Sequence, residues 1–485
     1  MSLLSAEKFP LPVYPPNHMG VSSSSILRFL DRLDASNICM HSYVLIRNHS
    51  ILSEGYWAPY TAESLQRMYS VTKSFVGVAI GLLAQDGYIH LDDPLIGYFR
   101  DKMTKQPSRY MQEMTIRDAL MMCSVHTKTA SKIVPHPDIL KAFFNVTPSH
   151  KAGTVFNYDT SASITLAALV ERLTGMSLMD YLRMKVLDKI GFSDEAYCKK
   201  TGEISDGGGG LLCTSHDLAK FALLCMQQGN WYGFQLLPKD YMKLATTRRV
   251  STDFAHPGFD AHGYGYQIWM TAHNGFALYG MGGQLAICVP DKSLILVTTA
   301  DTLDNPGGLD IIFNAFWDTI YKELDDESVE EDPDAADALY ERISGLKLRI
   351  VEGETDSPIA RAIGGKCFTM DSNPSVFKNV TVGFGPDYGT ITFDNDEGSY
   401  ELRFGLGYNA RQIFPGTRME AAASGAWTDP ETLFVRTWFT GENLGSLQIL
   451  LHFGGDGSLT VESRTFGDSG LPSGFNACVT GFIYE

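Results

Sequence analysis

The spacing of apolar and polar positions predicts a mixed α and β region in the first two thirds of the chain. Two alternating runs, HSYVLIR and SILSEGYW, meet at Asn48-His49 and predict a β-hairpin. A largely helical stretch then extends to about Gln228, and strands return in GFALYGMGG, QLAICV and LILVTTA. We expect the hairpin and these later strands to form one antiparallel sheet flanked by helices, with an all-helical subdomain inserted between its two halves. The fold class is therefore α+β.

Helix signals frame this sheet at both ends. The serines at 22–25 can cap a helix through ILRFLDRL, and the apolar stripe of residues 310–322, DIIFNAFWDTIYK, predicts a helix that packs on the sheet.

The pattern changes after an acidic run, ELDDESVEEDPDAAD, at residues 323–337. From about Ile350, short alternating runs dominate, and Gly, Asp and Asn turns separate them. These runs predict an antiparallel β domain, either a barrel or a sandwich. We therefore expect a first domain over residues 1–325, an acidic solvated connector over 326–349 and a β domain over 350–485.

Composition removes several classes of function. The net charge of −17 disfavours a nucleic-acid partner, whose phosphates would be repelled. No apolar stretch is long enough to span a membrane, and the first twenty residues lack the features of a signal peptide. The eight cysteines form no C-x-x-C pair and the twelve histidines no H-E-x-x-H, so we expect a cytoplasmic protein with no metal and no cofactor. A homo-oligomer stays open.

The strongest chemical signal is the string MYSVTKSFVGVAIGLLAQDG. Apolar residues after Ser70 recur at helical spacing, which places Ser70 near a helix N-terminus with Lys73 on the same face. A serine hydroxyl needs a neighbouring base, and burial together with the positive helix end would lower the pKa of Lys73 enough for that role. The backbone N–H of Ser70 is then a candidate oxyanion donor. A simple helix cap at Ser70 is the alternative.

The pattern S-x-x-K alone carries little information. It also begins at Ser5, Ser344 and Ser375, and Ser70 is distinguished by the amphipathic helix that follows it.

A second element is FNYDTSASITLAALVERLTG, in which Tyr158 precedes a buried helix ending near Gly175. A loop there could aim the Tyr158 phenol into a cleft. A nearby ammonium would favour phenolate character, so Lys73 and Tyr158 could share one proton.

The third element is the glycine-rich string from Tyr279 to Leu285. Closely spaced glycines in a strand indicate a bulge, a tight turn or close approach to a ligand, and one backbone N–H here could be the second oxyanion donor. The candidate oxyanion and substrate-binding residues are Gly280, Met281, Gly282, Gly283, Gln284, Tyr264 and Tyr266. The other run, Gly207–Gly210, lacks the context of a phosphate loop.

Taken in order, these elements resemble the serine β-lactamase and penicillin-binding-protein family, nearest its class C, esterase and D-aminopeptidase branch. The resemblance extends from about Ser25 to Tyr321 and includes TIRDALMMCSVH and DGGGGLLCTSHDLAKFALL. It implies a β-lactamase/transpeptidase-like fold and a covalent acyl-enzyme at Ser70. It also implies Lys73 as the base, and Tyr158 as donor to the leaving group and activator of water. The final β domain resembles the lipocalin-like domains that follow some family members.

Two of the departures from the family pattern bear on the substrate. The family's Y-[SA]-N reads Tyr158-Asp159-Thr160, and the K-T-G or H-x-G position falls at Tyr279-Gly280-Met281 or one residue later, without a cation. Because that cation holds the carboxylate of penicillin-like substrates, we expect weak β-lactamase activity and a preference for small esters or amides. The alternatives are a D-amino-acid amidase or peptidase, whose acidic side chains bind the substrate amine, and a catalytically silent binding protein.

Overall fold

A computed structural model describes residues 11–133, 136–254, 258, 261–305, 307–395, 398–468, 470–472 and 474–483. Ser5 and its S-x-x-K string lie outside the described residues. The chain forms two compact units. The second consists of Lys347 onward with two short earlier stretches, Trp57–Tyr60 and Asp301–Pro306, and the first consists of the rest.

The first unit is built on a six-stranded sheet. Its strands, with the short strands of the loops, are β1 (Cys39–Arg47), β2 (Ser50–Tyr56), β3 (Gln66–Arg67), β4 (Tyr197–Cys198), β5 (Lys200–Thr201), β6 (Ile204–Ser205), β7 (Leu211–Cys213), β8 (Asn230–Trp231), β9 (Phe234–Gln235), β10 (Trp269–Met270), β11 (Phe276–Gly280), β12 (Gln284–Val289) and β13 (Leu294–Asp301). The main sheet has the order β10-β11-β12-β13-β1-β2, so the early hairpin joins the later strands as predicted.

The hairpin turn follows from its two central residues. Asn48 and His49 both have positive φ, 48° and 68°, which is the conformation of a two-residue turn whose twist matches that of the strands. All nine residues of β1 are buried, because this strand lies inside the sheet with a covered face on each side.

Helices cover this sheet and fill the insert. They are α1 (Ser23–Ala35), α2 (Thr72–Gln85), α3 (Arg109–Glu113), α4 (Ile116–Leu120), α5 (Ile139–Asn145), α6 (Thr160–Thr174), α7 (Leu178–Leu182), α8 (Ser215–Met226), α9 (Lys239–Ala245), α10 (Gly308–Phe316) and α11 (Pro333–Ser344). Ser22 caps α1, and Gly175 ends α6 in the left-handed conformation, both at the predicted positions.

Helices α2 and α6 form the centre of the insert. Both are buried over almost their whole length, which explains why their sequences are apolar on all sides. Among the described residues no single helix could cross a membrane. Thr160–Thr174 and Leu178–Ile190 meet the length and hydropathy requirements only as a pair, which is bent by 71°.

The acidic stretch is more ordered than the predicted connector. Residues 333–344 form α11, which begins at the cap Asp332 and packs on α1, with an ion pair between Arg342 and Asp34. The first unit accordingly extends to Leu346 rather than to residue 325. The physical reason is that Leu339 is buried, so this helix has an apolar contact that net charge did not reveal.

The second unit contains α12 (Ala360–Ile363) and a β-barrel, which decides between the two predicted architectures. Its strands are β14 (Cys367–Met370), β15 (Asn379–Phe384), β16 (Tyr388–Asn395), β17 (Gly398–Leu406), β18 (Ala410–Ile413), β19 (Glu420–Asp429), β20 (Thr432–Phe439), β21 (Gly445–Phe453), β22 (Ser458–Gly467) and β23 (Ala477–Ile483). The barrel runs in the order β17-β16-β15-β14-β23-β22-β21-β20-β19 and closes by pairing of β17 with β19.

The closing pair is parallel, whereas each other neighbouring pair in the barrel is antiparallel. This arrangement follows from the odd number of strands, because alternating directions around a ring of nine must leave one pair aligned. The interior is a packed apolar core that includes Phe393, Phe404, Trp427 and Phe453.

Six of these strands coincide with alternating runs of the sequence, whereas β14, β18, β19 and β23 lie outside them. The six runs are NVTVGF, GTITFD, YELRFG, ETLFVRTWF, SLQILLHF and SLTVESRTF. Strand β19, with the sequence EAAASGAWTD, is rich in alanine, which is a poor strand former by itself. Pairing with β18, β20 and β17 fixes its conformation.

Candidate active site

The turn that carries Ser70 joins a short strand to a long helix. Strand β3 leads into a 3₁₀ turn, Tyr69–Val71, and then into α2, so Ser70 stands at the N-terminal end of the helical segment. Tyr69 has φ of 45°, a conformation that residues other than glycine rarely adopt and that stores strain at functional sites. Thr72 holds the turn, because its hydroxyl donates to the Tyr69 carbonyl at 2.6 Å and accepts from the Leu211 N–H at 3.1 Å.

Lys73 lies one helical turn after Ser70 and is 1% exposed. Its Nζ is 2.8 Å from the Ser70 Oγ and also donates to the Gly208 carbonyl. Burial lowers the pKa of Lys73 to about 7, against the opposing effect of the Asp206 and Asp159 carboxylates. The neutral amine is therefore well populated near neutral pH, which a solvated lysine does not allow.

Tyr158 approaches the same pair from the loop before α6. Its phenol is hydrogen-bonded to Ser70, and Lys73 Nζ lies 5.0 Å from its ring centroid. Burial raises the pKa of Tyr158, and the hydrogen bond with Ser70 opposes that shift only in part. The expected phenolate character is thus wrong for the resting site, because desolvation disfavours the phenolate. The structure brings Ser70, Lys73 and Tyr158 together.

Aromatic rings fix the direction of Tyr158. Its ring stacks on Trp269 with centroids 5.6 Å apart, and Trp269 in turn meets Tyr264 at 4.9 Å. Tyr264 is 1% exposed and packs in this cluster with Phe156 and Met122. Tyr264 therefore supports the wall behind Tyr158.

The structure does not support Tyr266 as a pocket residue. Its side chain is fully buried against Tyr241, and its phenol oxygen accepts a hydrogen bond from Arg117 at 2.6 Å. Sequence proximity to Tyr264 was misleading, because the chain between them turns and Tyr266 enters the main core instead.

The glycine-rich string forms a tight turn between β11 and β12. Gly280 pairs with Gln284, and the intervening Gly282 and Gly283 have φ of 84° and 98°, which favour glycine. A side chain at Gly280 would place its Cβ 2.2 Å from the Met68 carbonyl oxygen. This close approach brings the end of β11 beside the Ser70 turn.

Gln284 is 1% exposed and holds the turn rather than lining a pocket. Its amide donates to the Ala300 carbonyl at 2.6 Å and to the Met281 carbonyl at 3.2 Å. The Gly283 carbonyl is held in a similar way by the Thr298 hydroxyl at 2.8 Å. The prediction of Gln284 as a substrate contact is wrong, because the side chain is buried and its amide nitrogen donates both hydrogen bonds to backbone carbonyls of the protein.

Sequence reasoning missed the contribution of residues 206–210. Strand β7 follows this run directly and pairs with β3, which directly precedes the Ser70 turn, so the glycines lie beside Tyr69 and Lys73. A Cβ at Gly207 or Gly208 would meet the side chain of Ala167 or Thr160 at 2.5 or 2.4 Å. The four consecutive glycines were the available signal for this close packing.

Asp159 was noted only as a departure from a motif, yet it is fully buried next to Tyr158. It caps α6 and receives hydrogen bonds from Ser124 and His126. Among the residues that the structure describes, no group of three or more His, Cys, Asp or Glu side chains is arranged to hold a metal ion.

Comparison with known proteins identifies the family of this chain. The family model named Beta-lactamase matches residues 42–312, more than half of the chain. The protein belongs to the beta-lactamase family, whose fold is the sheet and helices of the first unit. The class C branch named in the sequence resemblance is not resolved.

Individual relatives are distant. A 6-aminohexanoate-dimer hydrolase of Paenarthrobacter ureafaciens is 22% identical over 266 residues, which are 50% of this chain and 67% of that protein. An uncharacterized protein of Alkalihalophilus pseudofirmus is 23% identical over 58% of this chain and 89% of its own length.

Among solved structures, a Bacillus anthracis protein assigned as a 6-aminohexanoate-dimer hydrolase superposes with a TM-score of 0.53 at 21% identity, over 65% of this chain and 87% of that one. EstCE1, a hydrolase with promiscuous acyltransferase activity, gives 0.50 at 13% identity, over 61% and 99%. The structural likenesses show the fold. The family and the named relatives point to a hydrolase.

Proposed function

We propose that the protein is a serine hydrolase that cleaves a small ester or amide through a covalent acyl-enzyme at Ser70. The observation that carries the proposal is that a hydroxyl, a buried amine of lowered pKa and a buried phenol of raised pKa lie together at one turn. The Ser70 Oγ lies 2.8 Å from Lys73 Nζ and is hydrogen-bonded to Tyr158.

In acylation, one neighbour of Ser70 accepts a proton and the other donates one. Neutral Lys73 takes the Ser70 proton as the Oγ attacks the substrate carbonyl. Tyr158, whose pKa burial holds above its usual range, gives its proton to the leaving alcohol or amine. The products of this half-reaction are a Ser70 ester, a Lys73 ammonium and a Tyr158 phenolate.

Deacylation reverses these proton transfers. The Tyr158 phenolate takes a proton from water, and the resulting hydroxide attacks the ester carbonyl. As Ser70 leaves, the Lys73 ammonium returns its proton to the Oγ. The carboxylic acid departs, and all three side chains regain their starting protonation states.

The oxyanion would be held by the Ser70 N–H and by an N–H of the turn at 281–283. The close contact of Gly280 with Met68 supports this assignment, because it brings the two backbone segments together. The carbonyls of Met281 and Gly283 already accept side-chain hydrogen bonds, which favours an N–H of this turn as the group that faces the substrate.

The substrate class follows from a substitution. Where the family's motif carries a cation for the substrate carboxylate, this chain has Tyr279 or Gly280. Tyr279 brings an aromatic ring to this place, and that ring lies against Trp269 with centroids 6.1 Å apart. We therefore propose esters or amides without that carboxylate, and weak turnover of penicillins. The amide-hydrolase name of the Paenarthrobacter relative is compatible with this substrate class.

The amidase alternative with an amine-binding acid has less support. The carboxylate of Asp159 is fully buried and receives its hydrogen bonds from the protein, and Asp206 lies 4.0 Å from the guanidinium of Arg67. Neither acid is left to receive a substrate amine.

The test is intact-protein mass spectrometry after exposure to a fluorophosphonate, followed by assays with p-nitrophenyl esters and matched anilides. We expect one adduct, located at Ser70 by peptide mapping, and turnover of at least one of the two series. An unlabelled wild type that also turns over neither series would contradict the proposal and favour a silent binding protein. Faster turnover of D-aminoacyl amides than of simple acyl substrates would instead favour the D-amino-acid amidase.

A further inference from the structure

Asp159 occupies an unusual place for an acidic side chain. It follows Tyr158 directly, is completely buried, and stands where the family's motif has serine or alanine. Burying a carboxylate is costly unless donors compensate for lost water, so its retention beside the proposed acid calls for a physical reason.

The donors around Asp159 fit an ionised carboxylate. Oδ2 receives the Ser124 hydroxyl at 2.9 Å and His126 Nδ1 at 3.0 Å, and Oδ1 receives the Ser161 N–H at 3.0 Å together with the Ser161 hydroxyl. His126 is itself buried, and its Nε2 has no hydrogen-bond partner among the described residues. The polar contact of this ring is therefore directed at Asp159.

The carboxylate also acts on Lys73. Lys73 Nζ contacts Ser70 of its own turn, the ring of Tyr158 before α6 and the Gly208 carbonyl of the glycine loop. Asp159 follows Tyr158 directly, and Thr160 lies against Gly208, so the start of α6 is beside the amine. The charged groups that act on Lys73 are the carboxylates of Asp206 and Asp159. Both carboxylates favour the ammonium form, against burial. Asp206 has the larger effect of the two and lies 4.0 Å from Arg67 at a partly exposed position, whereas Asp159 is fully buried against His126.

We propose that Asp159, oriented by Ser124 and His126, is a positioning residue that stabilises the Lys73 ammonium formed when Ser70 gives up its proton. This inference rests on the function proposed above. It assigns a role in acylation to a residue that would otherwise be only the cap of α6, and to His126 as the residue that orients it.

A matched control is present in the same chain. Asp138 is likewise the N-cap of a helix, α5: its side chain accepts from the N–H groups of Leu140 and Lys141, and its carboxylate is paired with Lys102. Asp138→Asn removes a cap charge without changing the groups that face Lys73. Comparison of Asp159→Asn with Asp138→Asn therefore separates capping from action on Lys73.

The experiment measures kcat/KM against pH for wild type, D159N, D159S and D138N, with the best substrate of the ester or anilide series. We expect D159N to move the midpoint of the acid limb down by about one pH unit and to lower the plateau, because an amine of lower pKa is a weaker base. D138N should keep the wild-type midpoint. Serine can also cap a helix, so D159S provides a second uncharged variant if D159N folds poorly.

An unchanged midpoint in the folded D159 variants, with only a lower plateau or lower thermal stability, would overturn the inference and leave Asp159 as a cap.

If wild type is inactive and unlabelled, the proposed function fails. NMR titration of ε-¹³C-lysine-labelled protein, with the Lys73 signal assigned by its loss in K73M, then tests the inference separately. A lower Lys73 midpoint in D159N supports the action on Lys73, and an equal midpoint overturns it.

Discussion

The same four-residue pattern occurs at Ser70–Lys73 and at Ser375–Lys378, with different outcomes. At the first place a helical turn brings Lys73 Nζ to 2.8 Å from the Ser70 Oγ. At the second, the Ser375 hydroxyl donates to the Asn373 side chain and accepts from the Phe377 N–H at 3.2 Å. Lys378 is exposed, and its backbone leads into β15 of the barrel.

The difference lies in what surrounds the two lysines. Lys73 is enclosed by α2, α6 and the glycine loop, and this burial lowers its pKa toward neutrality. Lys378 faces solvent. A serine and a lysine three residues apart therefore become a candidate nucleophile and base only under two conditions. A helix must align the two side chains, and burial must remove water from the amine and so lower its pKa.

The largest expected effect comes from removing the Ser70 hydroxyl, with removal of the Ser375 hydroxyl as the matched control. Ser70→Ala should abolish fluorophosphonate labelling and lower kcat/KM by about 10⁴-fold or more, because no covalent intermediate can form. Ser375→Ala should leave both at the wild-type level. Labelling that survives in S70A would move the nucleophile elsewhere.

The two lysines give the next contrast. K73M should lower the acylation rate by about 10³-fold through loss of the base, measured as the labelling rate at pH 8. K378M should label as fast as wild type. A K73M protein that is folded by circular dichroism and reacts at the wild-type rate would refute the role of Lys73.

Loss of the Tyr158 hydroxyl should have a smaller effect. Y158F keeps the ring stacked on Trp269 and removes the proton donor. Because kcat/KM reports acylation and not deacylation, it should fall about 100-fold for an anilide and less for a p-nitrophenyl ester, whose leaving group needs no proton. Y264F, which changes a hydroxyl of the same aromatic cluster, is the control. Equal losses for the two substrate series would argue against proton donation by Tyr158.

The pH dependence of kcat/KM tests directly whether burial lowers the pKa of Lys73. With the pKa of Lys73 at about 7, the amine is protonated below that pH and cannot accept the Ser70 proton. We expect kcat/KM to fall about tenfold per pH unit below pH 7 and to be flat just above it. A limb near the ordinary lysine value of 10.5 would show a solvated amine.

The last prediction concerns stability, and the sign of this effect is fixed by the same pKa shift. Because burial lowers the pKa of Lys73 from 10.5 to about 7, the unfolded chain binds this proton more readily, and stability falls as pH decreases through that interval. K73M should therefore be more stable than wild type near pH 7, and the gap should narrow toward pH 10. Urea unfolding at both pH values measures it, with K378M expected to show no such trend.

Much of the candidate site could be predicted from local sequence. The helix after Ser70, the tyrosine before α6 and the glycine turn after β11 each have a short-range signature, and each forms at its predicted place. The errors at Tyr266 and Gln284 have one cause, since burial and hydrogen-bond partners depend on distant residues such as Arg117 and Ala300.

The amino-acid sequence by itself determined the hairpin, the amphipathic and apolar helices and most barrel strands, because hydrophobic periodicity and turn residues act over a few positions. Only the tertiary structure decided that β3 pairs with β7, that the glycine run lies against Lys73 and that β17 closes on β19. The tertiary structure also decided which lysine is desolvated, because desolvation depends on all the residues packed around a side chain and not on its neighbours in the sequence.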